Sequence, residues 1–335
     1  MELVPSSLAP TTSIPSFIQQ QVPLSSKNWF GTGGNARFYA EPVDITQFSQ
    51  ALLFAKQHAL PICIVGSGAN MLISDDGFDG LVIHPLITTL TFVTEPDGTY
   101  VRAGAGITID ALITFCFDNG YRNLEEFSGI PGTVGGAVYI NVHYFEFLIS
   151  QFLHRATVIE CATGAIYTVD NNWFNFGYNQ STLQNKQFYL VDASFRVQKS
   201  SPDNIAFARG RAQEIIRHRI TRYPIKNTCG SFFRNFLPHE VTVESNGKKM
   251  IYIAFYLDKL GIKGTLSHGD AIVSHQHANM IVNRGNGTSA DIIALARRMQ
   301  ELVHGSFGIV PQPECELIGF ASYPLLKKEG KTCVE

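Results

Sequence analysis

Ser128-Gly129-Ile130-Pro131-Gly132-Thr133-Val134-Gly135-Gly136-Ala137 puts four glycines and a proline into ten residues, between an apolar run and a short helix-like segment. Glycine has no Cβ, so main-chain amides in such a loop approach a ligand closely and reach φ > 0. Taken alone, the stretch reads equally as a tight structural turn or as a loop that grips a pyrophosphate or the polar edge of a cofactor ring. Two further glycine loops lie upstream: Val65-Gly66-Ser67-Gly68-Ala69-Asn70-Met71, after a buried strand predicted over 61–65, and Gly104-Ala105-Gly106. A Rossmann fingerprint requires a helix and a third glycine at that point. The chain resumes instead with the apolar triplet Met71-Leu72-Ile73, so the loop joins two strands. Three glycine loops within about seventy residues favour one large phosphate-bearing ligand over three unrelated turns.

The 335 residues suffice for two or three domains. With 45% hydrophobic and 16% charged residues the chain has an ordinary globular profile. A net charge of −2 gives no electrostatic basis for nucleic acid or an anionic membrane as the main partner. The local cluster Arg217-His218-Arg219-Ile220-Thr221-Arg222 suits a small anion. Six cysteines are scattered with no CxxC pair, which reads as free thiols in a reducing cytoplasm. Residues 1–21, rich in Ser, Pro, Thr and Gln, lack a basic start and an apolar h-region. They are expected to form a disordered tail rather than a signal peptide, and no apolar run is long enough to span a bilayer.

Strand and helix signals alternate along the chain, which predicts an α+β protein. Residues 36–40 read as a strand, and Asp44 as the cap of a helix with Ile45, Phe48, Leu52 and Ala55 on one face. Strands at 89–93 and 99–103 flank the hairpin loop Glu95-Pro96-Asp97-Gly98. A helix over 108–119 ends at Gly120 as its C′ residue. Strands follow at 156–160, 165–169 and 188–197, then a helix over 204–221 with Arg in its last turn. The last third holds helices near 250–260 and 289–303 and strands near 270–273, 279–282 and 314–318.

Seven motifs occur in one order: Trp29-Phe30-Gly31-Thr32-Gly33-Gly34-Asn35-Ala36, the loops at 65–71 and 128–137, Phe176-Gly177-Tyr178-Asn179-Gln180-Ser181, Gly230-Ser231-Phe232-Phe233-Arg234-Asn235, His277-Ala278-Asn279-Met280-Ile281-Val282-Asn283, and Pro313-Glu314. In this order, over roughly residues 22 to 320, the chain resembles the UDP-N-acetylenolpyruvoylglucosamine reductases, flavoenzymes of peptidoglycan precursor synthesis. Joint occurrence is far more specific than any one motif. The resemblance implies a two-subdomain FAD-binding unit of the PCMH/vanillyl-alcohol-oxidase type and a C-terminal α+β substrate-binding domain. The expected division is a tail at 1–21, FAD-binding subdomains at 22–84 and 85–199, the substrate-binding domain at 200–322 and a tail at 323–335. The short interval from Ser181 to Gly230 resembles the branch without the extra substrate-capping loop.

The resemblance also implies noncovalent FAD, since no His lies in the Gly66–Asn70 loop, with NADPH as hydride donor and a UDP-sugar substrate. The cofactor would be held by residues 65–71 and by Gly129, Ile130, Pro131, Gly132, Thr133, Gly135, Gly136 and Ala137. Ser231 matches the proton-donating serine and Glu314 the catalytic glutamate near the substrate carboxylate. By residue chemistry alone each reads as an ordinary turn hydroxyl and a solvated strand-end carboxylate. Tyr178, Arg219, Arg222, Arg234 and Asn235 are the expected substrate contacts, in a cytoplasmic monomer or weak dimer.

Two departures stand out. Asn179 occupies the position of an arginine that forks onto the substrate carboxylate, and an amide carries no charge. Asn141-Val142-His143-Tyr144-Phe145-Glu146 is bulky where the family has small residues. A catalytically degenerate flavin or UDP-sugar binding protein of the same fold is therefore the alternative to an active reductase. No metal site is expected, because His268, His275 and His277 fit no common zinc spacing.

Overall fold

The computed structural model describes residues 1–4, 14–245 and 247–327. The chain divides into two compact units. The first contains Met1–Val22, Ala36–Ser67 and Asp79–Arg219; the second contains Pro23–Asn35, Gly68–Phe78 and the chain from Ile220 onward.

The first unit is built on a seven-stranded sheet, ordered Glu2–Val4, Ile166–Asp170, Leu153–Glu160, Phe188–Lys199, Gly98–Gly104 and Leu90–Glu95, with Tyr121–Arg122 also paired to Phe188–Lys199. Every pairing in it is antiparallel. The expected hairpin is present, turning at Pro96-Asp97. Phe188–Lys199 is apolar in both directions because its two faces serve different cores. Ala193, Phe195 and Val197 join a cluster with Leu112, Phe127 and Val134. Tyr189 and Val191 join another with Phe48, Leu52 and Ile159.

Helix α1 (Ile45–Gln57) starts where Asp44 accepts the Gln47 N–H at 2.8 Å, and it buries Phe48, Leu52 and Ala55 as their spacing requires. Helix α2 (Ile109–Asp118) is capped by Thr108 and followed by Gly120 at φ +75°. A short helix, α3 (Val134–Tyr139), follows the decisive glycine stretch. Helix α4 (Pro202–Arg222) begins two residues earlier than the sequence reading, because Pro202 suits the first helical position.

A second, four-stranded sheet orders Ile18–Pro23, Asn35–Ala40, Phe78–Ile83 and Ile62–Ile64. Here the expected tail needs correction. Ile18 is buried against the core that contains Leu81 and Ile83, while the glutamines beside it stay exposed. That is an edge strand, whose polar composition disguised it as a tail. Glu2–Val4 also pairs, with Ile166–Thr168; residues 5–13 lie outside the described residues.

In the second unit, helix α5 (Ile253–Lys259) and helix α6 (Ser289–Phe307) enclose a core with Phe232, Phe233, Tyr256, Ile292, Leu295 and Met299. Thr288 and Asp291 form a capping box at the start of α6, and Gly308 ends it at φ +71°. Ser267–His268, Ala271–Val273 and Ile281–Asn283 form a three-stranded sheet. The closing strand, Glu316–Ile318, pairs in parallel with Met71–Ile73. The C-terminal tail expected from 323 also needs correction at its start: fully buried Gln300 exchanges two hydrogen bonds with the Leu326 main chain, and Leu325 is buried. Residues 328–335 lie outside the described residues.

Candidate active site

In the first unit the glycine loops converge through their main chains. The Gly135 N–H donates to the Ala105 carbonyl at 2.9 Å, Val134 N–H to Ile107 at 2.7 Å, and Ile109 N–H to Gly132 at 3.0 Å. Thr108 and Thr133, each the cap of a helix, pair across this junction. Gly66, at the end of the Ile62–Ile64 strand, comes so close to Thr133 that a Cβ there would lie 2.5 Å from its Oγ1. Gly132 adopts φ +151°, and a Cβ on it would meet nothing within 4 Å. The backbone therefore requires glycine at 132 while the space beyond stays open. Beside this loop the Ser128 hydroxyl is buried with no hydrogen-bond partner among the described residues.

The loop at 65–71 is divided between the units: Val65, Gly66 and Ser67 belong to the first, Gly68, Ala69, Asn70 and Met71 to the second. Val65 is buried and bonded to Ile83. Gly68 accepts from Trp29 N–H at 3.1 Å, which ties it to the first quoted motif. Asn70 reaches Glu314: its carbonyl accepts from Glu316 N–H at 3.0 Å and its side-chain amide approaches the Glu314 carbonyl at 3.5 Å.

Ser231 and Glu314 come from two short extended segments of the second unit that run antiparallel. Glu314 N–H donates to Phe232 at 2.8 Å, Arg234 N–H donates to Gln312 at 3.0 Å, and Phe233 bridges to Pro313. Ser231 is half-buried. Phe232 and Phe233 after it are fully buried, which anchors the segment while leaving the serine at its edge.

The expected substrate contacts are divided between the units: Tyr178 and Arg219 belong to the first, Arg222, Arg234 and Asn235 to the second. Arg234 is already spent in a two-pronged ion pair with Glu240, at 2.7 and 2.9 Å. Asn235 Oδ1 accepts from Ile253 N–H at the start of α5. Arg219 donates from Nε to the Gly129 carbonyl at 2.9 Å, with its guanidinium 5.6 Å from the Tyr144 ring centre; it braces the glycine stretch itself. Arg222, in the second unit, lies over the Tyr223 ring.

Tyr178 and Asn179 form the corners of a tight turn closed by Gly177 and Gln180. Asn179 is left-handed at φ +52°, a conformation asparagine tolerates. Its side-chain amide nitrogen is buried with no hydrogen-bond partner among the described residues. The bulky 141–146 segment packs beside this turn. Asn141 donates to the Gly177 carbonyl at 3.0 Å, His143 lies 5.3 Å from the Tyr178 ring, and Tyr144 bonds His218 at 3.0 Å. Burial pushes the His143 imidazole below its ordinary pKa.

Residues 222–318 match the family described as UDP-N-acetylenolpyruvoylglucosamine reductase, C-terminal domain, and residues 36–170 match an FAD binding domain. The reductase of that name from Latilactobacillus sakei is 32% identical over 303 residues, covering 90% of this chain and 93% of that protein. The one from Chlamydia muridarum is 30% identical over 92% of this chain and 97% of its own length. The chain belongs to the UDP-N-acetylenolpyruvoylglucosamine reductase family. The crystal structure of the Thermus caldophilus reductase superimposes with a TM-score of 0.72 at 25% identity, over 90% of this chain and all of that one.

The α+β fold with an FAD-binding domain and the family resemblance thus both stand, and the chain is an FAD-dependent oxidoreductase. The converging glycine loops fit such a cofactor: they present an open face at Gly132 and an orphaned Ser128 hydroxyl. Sequence reasoning placed Asn70 in a cofactor loop but missed its approach to Glu314, and it missed Asn279 as a clamp on Phe233. Both lie in quoted motifs, and an Asn beside an apolar run was the available signal.

Proposed function

We propose that this chain reduces UDP-N-acetylglucosamine-enolpyruvate to UDP-N-acetylmuramate with NADPH, using Ser231 and Glu314 of the second unit for the proton chemistry. FAD would supply the hydride chemistry between NADPH and the enolpyruvyl group. Residues 65–71 and Gly129, Ile130, Pro131, Gly132, Thr133, Gly135, Gly136 and Ala137 would hold it, without a covalent bond. Reduction leaves the adjacent carbon as an enolate of the carboxylate, which must be protonated. Ser231 gives that proton. A serine hydroxyl is a weak acid and acts only beside so strong a base in a dry pocket. Glu314, as a proton-bearing acid, stabilises the enolate at the carboxylate end by hydrogen bonding.

The observation that carries this assignment is the direct main-chain bond between the Ser231 and Glu314 segments, Glu314 N–H to Phe232 at 2.8 Å. Tyr178, Arg219, Arg222, Arg234 and Asn235 are assigned to the UDP-sugar, with Arg219 and Arg234 also bracing their own loops. We assign 22–84 and 85–199 to cofactor binding and 200–322 to substrate binding. Among the described residues no helix is long and apolar enough to cross a membrane, and we assign the reaction to the cytoplasm, in a monomer or weak dimer.

The test is anaerobic. NADPH added to the flavin-loaded protein bleaches it, and UDP-N-acetylglucosamine-enolpyruvate then restores the colour. Bleaching that the substrate never reverses would favour a degenerate binding protein.

A further inference from the structure

We propose that Asn279 is a positioning residue for the proton-transfer step, fixing the segment that carries Ser231 against the segment that carries Glu314. The inference rests on the roles given above to those two residues. Asn279 is 2% exposed. Its side-chain amide pairs with both main-chain groups of one residue, Phe233. Oδ1 accepts from Phe233 N–H at 3.1 Å, and Nδ2 donates to the Phe233 carbonyl at 2.7 Å. Its own carbonyl accepts from Phe232 N–H at 2.8 Å. The Phe232 carbonyl in turn accepts from Glu314 N–H. One asparagine is therefore bonded on both sides of the residue that joins the two segments.

The clamp matters because the main chain sets the place of Ser231. The residue before it, Gly230, sits at φ +78°, a bend that fixes no side chain. The orientation of Ser231 is inherited from Phe232 and Phe233, whose rings are fully buried and whose peptide groups Asn279 holds. Only Asn and Gln present a donor and an acceptor in this paired arrangement, and the longer Gln displaces them. The Asn279 N–H is itself held by His277 Nδ1 at 3.2 Å, so the clamp is fixed at its base. Loss of the amide leaves the Phe233 N–H and carbonyl unpaired in a buried place, which loosens the segment at the residues adjoining Ser231.

The test follows the two half-reactions separately, by flavin absorbance in the anaerobic FAD-loaded enzyme, for Asn279→Ala and Asn279→Ser. The expected result is bleaching by NADPH at the wild-type rate. Reoxidation by UDP-N-acetylglucosamine-enolpyruvate slows about 10- to 100-fold, with a smaller change in KM and a larger solvent deuterium isotope effect than in the wild type. Reoxidation at the wild-type rate, or equal slowing of both half-reactions, overturns the proposal. So does failure of both variants to fold with flavin, which would make the role structural. Ser231→Ala is run alongside. If it reoxidises normally, the assignment of the proton donor fails; if it is slow while the Asn279 variants are not, only the positioning inference fails.

Discussion

In the first unit the proposed cofactor loops offer main chain: Gly135 bonds Ala105, Gly66 lies against Thr133, and Gly132 opens onto free space. In the second unit Ser231 and Glu314 ride on segments held by side-chain amides, Asn279 on one and Asn70 on the other. The contrast follows from the task. Gripping a large anionic ligand needs many amides at close range, so side chains are removed. Placing one proton needs a single hydroxyl held steadily, so side chains are added around it. Substitutions in the first region should change affinity for flavin, and those in the second should change rate.

The sharpest separation is expected at Glu314→Gln, which keeps size and removes the acidic proton. Reoxidation by substrate should slow about a hundredfold or more while FAD affinity and bleaching by NADPH hold, as stopped-flow absorbance and a flavin titration would show. Gly66→Val should do the reverse. Its Cβ falls 2.5 Å from Thr133 Oγ1, so FAD should bind about tenfold more weakly or worse; an unchanged dissociation constant would break the comparison.

Asn179→Arg sharpens it at the position of the first unit where the family has an arginine. The left-handed backbone at 179 costs arginine roughly 1 kcal/mol relative to asparagine, seen as a small drop in Tm, while kcat rises or holds. A large fall in kcat would reveal a specific role for the amide. The smallest effect is expected at Thr288→Ala, which deletes the cap bond to Asp291 N–H and costs about 1 kcal/mol by denaturant titration, with both half-reactions untouched. The Thr288 N–H holds the Asp291 carboxyl below its ordinary pKa. That contribution is complete above the unfolded carboxylate pKa and is lost as acid takes the pH down through the folded value.

Much of this was legible in the sequence. The helix starts at Asp44 and Thr108 and the end at Gly120 were readable because capping is local chemistry. The convergence of glycine loops was readable because three of them fall within about seventy residues. The edge strand at Ile18–Pro23 was not, because one buried isoleucine among glutamines leaves no alternation to detect. Nor was the parallel pairing of Met71–Ile73 with Glu316–Ile318, two segments far apart in the chain whose partnership no local pattern encodes. The arginines were legible as cations, but the Glu240 and Gly129 partners that engage Arg234 and Arg219 were not. The clamp at Asn279 was hidden for the same reason, since its partner lies 46 residues away.

The most direct measurement is the rate at which UDP-N-acetylglucosamine-enolpyruvate restores flavin colour in NADPH-reduced, FAD-loaded Ser231→Ala under anaerobic conditions. The expected result is normal bleaching followed by recovery about a hundredfold or more slower than wild type. Recovery at the wild-type rate would contradict the division of labour between the two regions.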